Sequence, residues 1–237
     1  MILDEFVFLA AVSVRSKAYL QAMVKEQLFP SYCIIFSDEN LDVIPQNIEN
    51  NKKFFDLNET LIQTLENNNI AYKVLKTRDI NSVDIRTELE KHKEKYVIYS
   101  GYGGAILKRE LFTIGKKFLH VHAGELPFYR GSTTAYYSIL NESKISASSI
   151  FLSEEIDEGD ILTSEKYNLP LEKVDIDYIY EPYIRSQVLI KTLKEYVLNG
   201  MLKSSAQMKD KGETYYVIHP VLKHIAMLEV VKQREGE

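Results

Sequence analysis

Two histidines, His120 and His122, stand two residues apart at the end of the apolar run FLHVH, and a loop punctuated by Pro127 and Gly131 follows them. Side chains at alternate positions of a strand share one face, so both imidazoles address a single cleft if this run is a strand. Farther along, the alternating stretch SIFLSEEI ends in an acidic turn, Asp157-Glu158-Gly159-Asp160. A turn at the end of a later strand can bring Asp157 beside the imidazoles. That arrangement suits proton transfer at a reacting carbonyl or amine. H-x-H with a nearby carboxylate is also the donor set of a two-histidine-one-carboxylate metal centre. The remaining histidines, His92, His219 and His224, fall in segments that give no clear third ligand, so no metal is expected.

The elements that must position these residues follow from periodicity. EFVFLAAVSV, SYCIIFSD, IAYKVLKT, YVIYSGYGGAIL (running into a glycine loop), KFLHVHAG, SASSIFLSEEI and DILTSEKYNL read as strands. Between them, SKAYLQAMVKEQL, FFDLNETLIQTLENNN, DINSVDIRTELEKHKEK, KRELFTIG and TTAYYSILNE read as helices. A long helix spans DIDYIYEPYIRSQVLIKTLKEYVLNG, with Pro182 marking where it begins or kinks. This alternation predicts an α/β fold with a doubly wound, mainly parallel seven-stranded sheet. Ligands of such sheets bind outside the carboxyl ends of the strands, where the glycine loop, the histidines and the acidic turn gather. Residues 1–200 are expected to form this catalytic domain. Residues 201–237, opening with the polar connector KSSAQMKDKGE, are expected to form a C-terminal appendage, packed on the domain or at the interface of a homodimer. The closing KQREGE reads as a frayed tail.

H-x-H followed by LPFYRG, a strand and DEGDI resembles the formyltransferase family that uses 10-formyltetrahydrofolate. Its members include methionyl-tRNA formyltransferase, glycinamide ribonucleotide transformylase and the sugar N-formyltransferases, the last being closest in character. The likeness is good from about residue 95 to 165 and weak before that. It implies a Rossmann-like fold, 10-formyltetrahydrofolate as formyl donor and a small amine as acceptor. It places His122 at the family's catalytic histidine and Asp157 at its partner carboxylate, which orients the ring and raises its pKa for proton relay. His120 stands where the family has asparagine, whose amide holds the formyl oxygen. Three readings stay open there: a substitute donor through an imidazole N–H, a diverged acceptor chemistry, or a lost activity. The first is preferred.

The same resemblance assigns YSGYGGAIL to the loop lining the pterin pocket. Gly103 and Gly104 remove side chains where a flat ring approaches backbone, and Ala105, Ile106 and Leu107 supply backbone groups and an apolar wall. Glu155 and Ile156 of the acidic turn close the other side. Tyr129 and Arg130 of LPFYRG shape the cleft, as braces as readily as ligands, and Ser132 and Thr133 cap the next helix. In the first strand-to-helix turn Ser13, Arg15, Ser16 and Lys17 gather an anion or form a plain solvated cap. The glycines of the ribonucleotide enzyme's phosphate loop are absent. Glu181, Tyr183 and Arg185, near the start of the long helix, receive no individual role.

Composition narrows the function classes. A chain of 237 residues with 45% apolar content builds a large core. No run approaches the roughly 18 apolar residues of a membrane span, and the acidic opening MILDEF is unlike a signal peptide. The single cysteine, Cys33, lies in the apolar run YCIIF; it excludes an internal disulfide and fits the cytoplasm. A net charge of −5 gives no footprint for nucleic acid. The reading that results is an N-formyltransferase acting on a small amine, best a nucleotide-linked amino sugar. The alternatives are a formyltetrahydrofolate hydrolase, a metal-dependent hydrolase using His120, His122 and Asp157, and a catalytically silent folate-binding relative.

Overall fold

In the computed structural model, residues 1–38, 47–208 and 211–235 are described. They form two compact units, Met1–His120 and Val121 onward. The first unit contains β1 (Ile2–Ala11), α1 (Val14–Lys25), β2 (Phe29–Ser37), α2 (Leu61–Asn67), β3 (Tyr72–Lys76), α3 (Val83–Lys91), β4 (Tyr96–Ser100), α4 (Arg109–Phe112) and the start of β5 (Lys117–His122). The pairs β3–β2, β2–β1, β1–β4 and β4–β5 are all parallel. β1 is the centre: Phe6 to Ala11 are wholly buried, as expected of a strand covered on both faces.

The second unit contains the end of β5, β6 (Tyr129–Gly131), α5 (Thr134–Glu142), β7 (Lys144–Phe151) and β8 (Ile161–Asn168). A π-helical turn, Ile176–Tyr180, leads into α6 (Glu181–Asn199), and β9 (Glu213–Tyr215) and α7 (Pro220–Glu235) follow. β7 and β8 pair antiparallel. The strand order of the sheet is β3-β2-β1-β4-β5-β7-β8, so the α/β class with a large, mainly parallel sheet is as the sequence predicts. Among the described residues no helix is long and apolar enough to cross a membrane.

Several boundaries differ from expectation. The second helix begins at Leu61, not Phe54, because Thr60 and Gln63 form a reciprocal capping box there. Upstream, the Asp56 carboxylate accepts from Asn50 and from the Asn58 N–H, a local turn that competes with helix. The strand after α5 stops at Phe151, which leaves residues 152–160 free to form the acidic turn. Pro182 sits in the first turn of α6, directly after the π-helical turn Ile176–Tyr180, so it marks the change of helical winding. Thr133 precedes α5 with left-handed backbone (φ 52°) and no side-chain cap; its hydroxyl instead accepts the N–H of Ile218 at 2.8 Å.

A second, two-stranded sheet was not foreseen. β9, from the segment read as an appendage, pairs parallel with β6. Gly131 (φ 96°) and Gly212 (φ 87°) make this possible. A Cβ at Gly131 would lie 2.2 Å from the Tyr215 carbonyl oxygen, and one at Gly212 would lie 1.7 Å from that of Pro127. α7 packs against α5. Residues 209, 210, 236 and 237, parts of the predicted connector and tail, lie outside the described residues.

Candidate active site

His122 ends β5 and is 5% exposed. Its Nε2 lies 2.6 Å from the Tyr129 carbonyl oxygen, so that nitrogen carries the hydrogen and donates it. Its Nδ1 faces Asp157 Oδ1 at 3.4 Å. The two groups that sequence places 35 positions apart are thus neighbours in the second unit. Burial holds the imidazole below its ordinary pKa. Attraction from Asp157, the bond to Tyr129 and the Glu181 charge oppose this, and the Arg185 cation reinforces it. The expected net rise is therefore reversed: Asp157 pulls upward, but desolvation of the charged ring is the larger effect. A neutral His122 keeps its lone pair on Nδ1, beside a carboxylate that stabilises any proton arriving there.

The shift has a consequence for stability with a definite sign. The unfolded chain binds a proton at His122 near pH 6.5, and the folded chain only at lower pH. Between the two values the unfolded state holds more protons, so stability rises with pH and falls on acidification. Urea midpoints measured between pH 7.5 and 5 are expected to fall in this window. In a His122→Gln variant the part of that slope due to the imidazole disappears; an unchanged slope would contradict the assignment.

Asp157 is aimed by its own backbone and by three braces. It adopts left-handed backbone (φ 57°), which Asp tolerates better than bulky residues. Its Oδ2 accepts the Gly131 N–H at 2.8 Å. Gln207 donates to the carbonyls of Asp157 (2.7 Å) and Gly159 (2.8 Å) through Nε2. Arg130 in turn donates to Gln207 Oε1 and to the Lys211 carbonyl, and is 6% exposed. Gly159 is obligatory, since a Cβ there would lie 1.6 Å from the Phe151 carbonyl oxygen. Tyr129 donates its hydroxyl to Glu142 at 2.7 Å and stacks on Tyr215. Both loop residues considered as ligands thus spend their polar tips on protein. Gln207, in a stretch read as a connector, had no signal beyond being a lone amide.

The other end of the ring is fixed as tightly. Thr134 Oγ1 lies 3.4 Å from His122 Nε2 and donates to the Ala123 carbonyl. Ser148, wholly buried, accepts the Leu126 N–H and donates to the Gly124 carbonyl at 2.7 Å. Arg185, 5% exposed, pairs with Glu181 at 2.6 Å and donates to the Val121 carbonyl. The i,i+4 spacing of Glu181 and Arg185 was readable in the sequence; that Arg185 is buried was not.

The first unit carries the remaining candidates. His120 is partly exposed; its Nδ1 lies 3.3 Å from the Tyr99 carbonyl oxygen, and its ring lies beside the Tyr99 ring at 5.9 Å. The Tyr99 hydroxyl is buried with no partner among the described residues, and burial pushes its pKa up to about 12. It occupies the space a Cβ at Gly101 would need. Arg15 donates to Ser100 Oγ at 3.3 Å and to the Gly101 carbonyl. Ser13 caps α1 by accepting the Ser16 N–H, while Ser16 and Lys17 are buried, Lys17 donating to the Leu57 carbonyl at 2.8 Å. Burial thus removes Ser16 and Lys17 from the predicted anion group.

The glycine loop has open space at both of its adjacent glycines. A Cβ built on Gly103 or on Gly104 (φ 77°) meets nothing within 4 Å. The Ala105 N–H is already given to the Tyr102 carbonyl at 3.2 Å. Leu107 is buried and Ile106 exposed. Asn81, which the sequence did not single out, fixes the loop: it donates to the Ile106 carbonyl (3.0 Å) and accepts the Lys108 N–H (2.7 Å). In the second unit Glu155 and Ile156 are exposed, and the Glu155 carbonyl accepts from Ser153. Among the described residues no three His, Cys, Asp or Glu side chains converge as metal ligands.

Comparison with known proteins adds three findings. Residues 27–178, more than half of the chain, match the family profile described as Formyl transferase. Over 101 residues the chain is 38% identical to methionyl-tRNA formyltransferase of Finegoldia magna, covering 42% of this chain and 33% of that one. It is 29% identical over 148 residues to the Helicobacter pylori protein of the same name, covering 61% of this chain and 47% of that one. The chain thus spans a third to a half of the curated relatives it matches. Among solved structures, an N-formyltransferase from Helicobacter canadensis, in complex with folinic acid and dTDP-3-aminofucose, superposes with a TM-score of 0.58 at 15% identity. The superposition covers 99% of this chain and 82% of that one. At that identity the likeness is one of fold.

Proposed function

Since the chain belongs to the formyl transferase family, we propose that it transfers a formyl group from 10-formyltetrahydrofolate to the amine of a small acceptor. The observation that carries this reading is the buried His122 facing the half-buried Asp157 at 3.4 Å, in a chain of that family. Formyl transfer to an amine moves one proton off the attacking nitrogen and one onto the departing folate nitrogen. A neutral imidazole with its lone pair on Nδ1, backed by a carboxylate, takes up and returns a proton near neutral pH. The glycine loop fits the donor, because Gly103 and Gly104 leave backbone bare for a planar ring. Asn81 keeps that loop in place before any ligand arrives.

A nucleotide-linked amino sugar is the acceptor we favour, in a cytoplasmic setting. Supporting this, the fold of an N-formyltransferase solved with folinic acid and dTDP-3-aminofucose overlays 99% of the chain. A net charge of −5 offers little to the phosphate backbone of a tRNA, the acceptor named for the curated relatives. The test is direct. Purified protein is incubated with 10-formyltetrahydrofolate and a panel of amino-sugar nucleotides, simple amines and methionyl-tRNA, and formyl-amide product is followed by mass spectrometry. Product with an amino-sugar nucleotide supports the reading. Product with methionyl-tRNA alone corrects the acceptor, and folate bound by none of the preparations, with no product, ends the proposal.

A further inference from the structure

We infer that Lys166 is a positioning residue for the proposed reaction: it holds Tyr129 in place, and the Tyr129 carbonyl in turn fixes the His122 ring. The inference rests on the formyl-transfer reading and deepens it by naming what keeps that imidazole aligned. Lys166 stands on β8 and belongs to no motif of the sequence. Its Nζ lies 2.7 Å from Glu125 Oε2 and 2.7 Å from Glu142 Oε2. Both acidic residues grip Tyr129. Glu142 accepts the Tyr129 hydroxyl through its other oxygen at 2.7 Å, and the Glu125 carbonyl accepts the Tyr129 N–H at 3.0 Å. One ammonium thus ties together the two residues that hold Tyr129, one by its ring and one by its backbone. The Tyr129 carbonyl oxygen, 2.6 Å from His122 Nε2, is the next atom in line.

Strand geometry explains why β8 reaches this loop. Ser164 and Lys166 occupy alternate positions of β8 and so share a face. Ser164 reaches the loop by a second route. The Ser148 hydroxyl gives its hydrogen to the Gly124 carbonyl, so Ser164 is the donor in its 2.7 Å contact with Ser148. β8 therefore braces the segment twice, at Gly124 and Leu126 through Ser148 and at Tyr129 through the two glutamates. The charge of Lys166 is needed as well as its reach. Glu142 ends α5, where the helix dipole disfavours a carboxylate. Without the ammonium, Glu125 and Glu142 would repel each other, and Glu142 would gain by turning away from Tyr129.

The bonds keep one sense across the neutral range. The bond from Lys166 holds the Glu142 carboxyl below its ordinary pKa, and burial with the Glu142 bond pushes the Tyr129 phenol up to about 12. The phenol stays a donor and the carboxylate an acceptor. Geometry, more than stability, depends on them. The Lys166 side chain is 43% exposed, and an ion pair so open to water contributes little to folding. The Tyr129 carbonyl, by contrast, sits in a strand of only three residues, whose own ladder constrains it loosely. Loosening it frees His122 Nε2, and with it the tautomer that leaves the lone pair on Nδ1 beside Asp157.

The experiment joins kinetics to a direct view of the ring. In Lys166→Met, kcat with 10-formyltetrahydrofolate and the best acceptor of the panel above is expected to fall about tenfold. KM for both substrates is expected to stay within about twofold, since no binding contact is removed. Melting temperature is expected to change by no more than about 3 °C. Lys166→Arg, whose guanidinium can bridge the same two carboxylates, is expected to recover most of the rate. By NMR, the His122 Nε2 hydrogen, identified by its loss in His122→Gln, is expected to exchange with water about tenfold faster in Lys166→Met than in wild type. Should Lys166→Met fail to fold, Lys166→Gln takes its place in both measurements. A wild-type kcat with unchanged exchange overturns the inference and leaves formyl transfer standing. A raised KM with kcat unchanged also overturns it, by making Lys166 a substrate contact. Wild type inactive with every acceptor, but with the exchange difference present, ends the formyl-transfer reading and keeps the link from Lys166 to His122.

Discussion

Replacing Asp157 by asparagine is expected to lower formyl transfer by about 10²- to 10⁴-fold while leaving the fold intact. The asymmetry follows from what an amide can and cannot imitate. Its oxygen can still accept the Gly131 N–H that Oδ2 accepts at 2.8 Å. Its NH2 group then faces His122 Nδ1 and donates to it, with Nε2 still bonded to Tyr129. The ring is thereby held neutral with both nitrogens occupied, and it can no longer take a proton on Nδ1. Melting temperature at pH 7.5 should stay near wild type, because no buried group loses its partner. Single-turnover rates measured beside the melting curve decide the matter. Turnover within tenfold of wild type would mean that the carboxylate only aims the ring.

Substituting Gly124 by alanine should damage both activity and stability, although Gly124 bears no reactive group. A Cβ there would lie 2.7 Å from the Tyr129 carbonyl oxygen and 2.8 Å from His122 Nε2. Those two atoms form the bond that fixes the imidazole, so the methyl group forces them apart. Displacement of a catalytic group by about 1 Å is enough to cost on the order of 100-fold. Backbone adjustment is limited, because the Gly124 carbonyl is held by Ser148 at 2.7 Å. Overpacking of this kind costs about 1–3 kcal/mol. Urea unfolding and kcat should therefore fall together in Gly124→Ala, and activity within twofold of wild type would show that the loop yields without moving His122.

The strands were legible because burial writes itself into them: residues 6–11 are uninterrupted apolar or small side chains, and they form the innermost strand. The proximity of His122 and Asp157 was legible for a different reason, the order and spacing of several short motifs. The sign of the His122 shift was not. It depends on how much water the ring loses, and a sequence shows the charge next door but not the depth of burial. β6 and β9 were invisible because three residues carry no period. Gln207 and Asn81 were invisible because a single amide in a polar stretch looks the same whether it brackets a turn or faces solvent. Helix ends depended on side-chain bonds such as the Thr60–Gln63 box, which turns part of an apparently long helix into loop.

The way Asp157 is held also bears on when the protein becomes competent during synthesis. Its carboxylate is aimed by a turn that Gln207 brackets, and the Gly131 N–H it accepts lies in a strand completed by residues 213–215. A nascent chain that has emerged only to Gly200 would already carry every side chain of the proposed chemistry, yet would lack the parts that point the carboxylate at the ring. Aiming of the carboxylate would then wait on the emergence of residues 207–215.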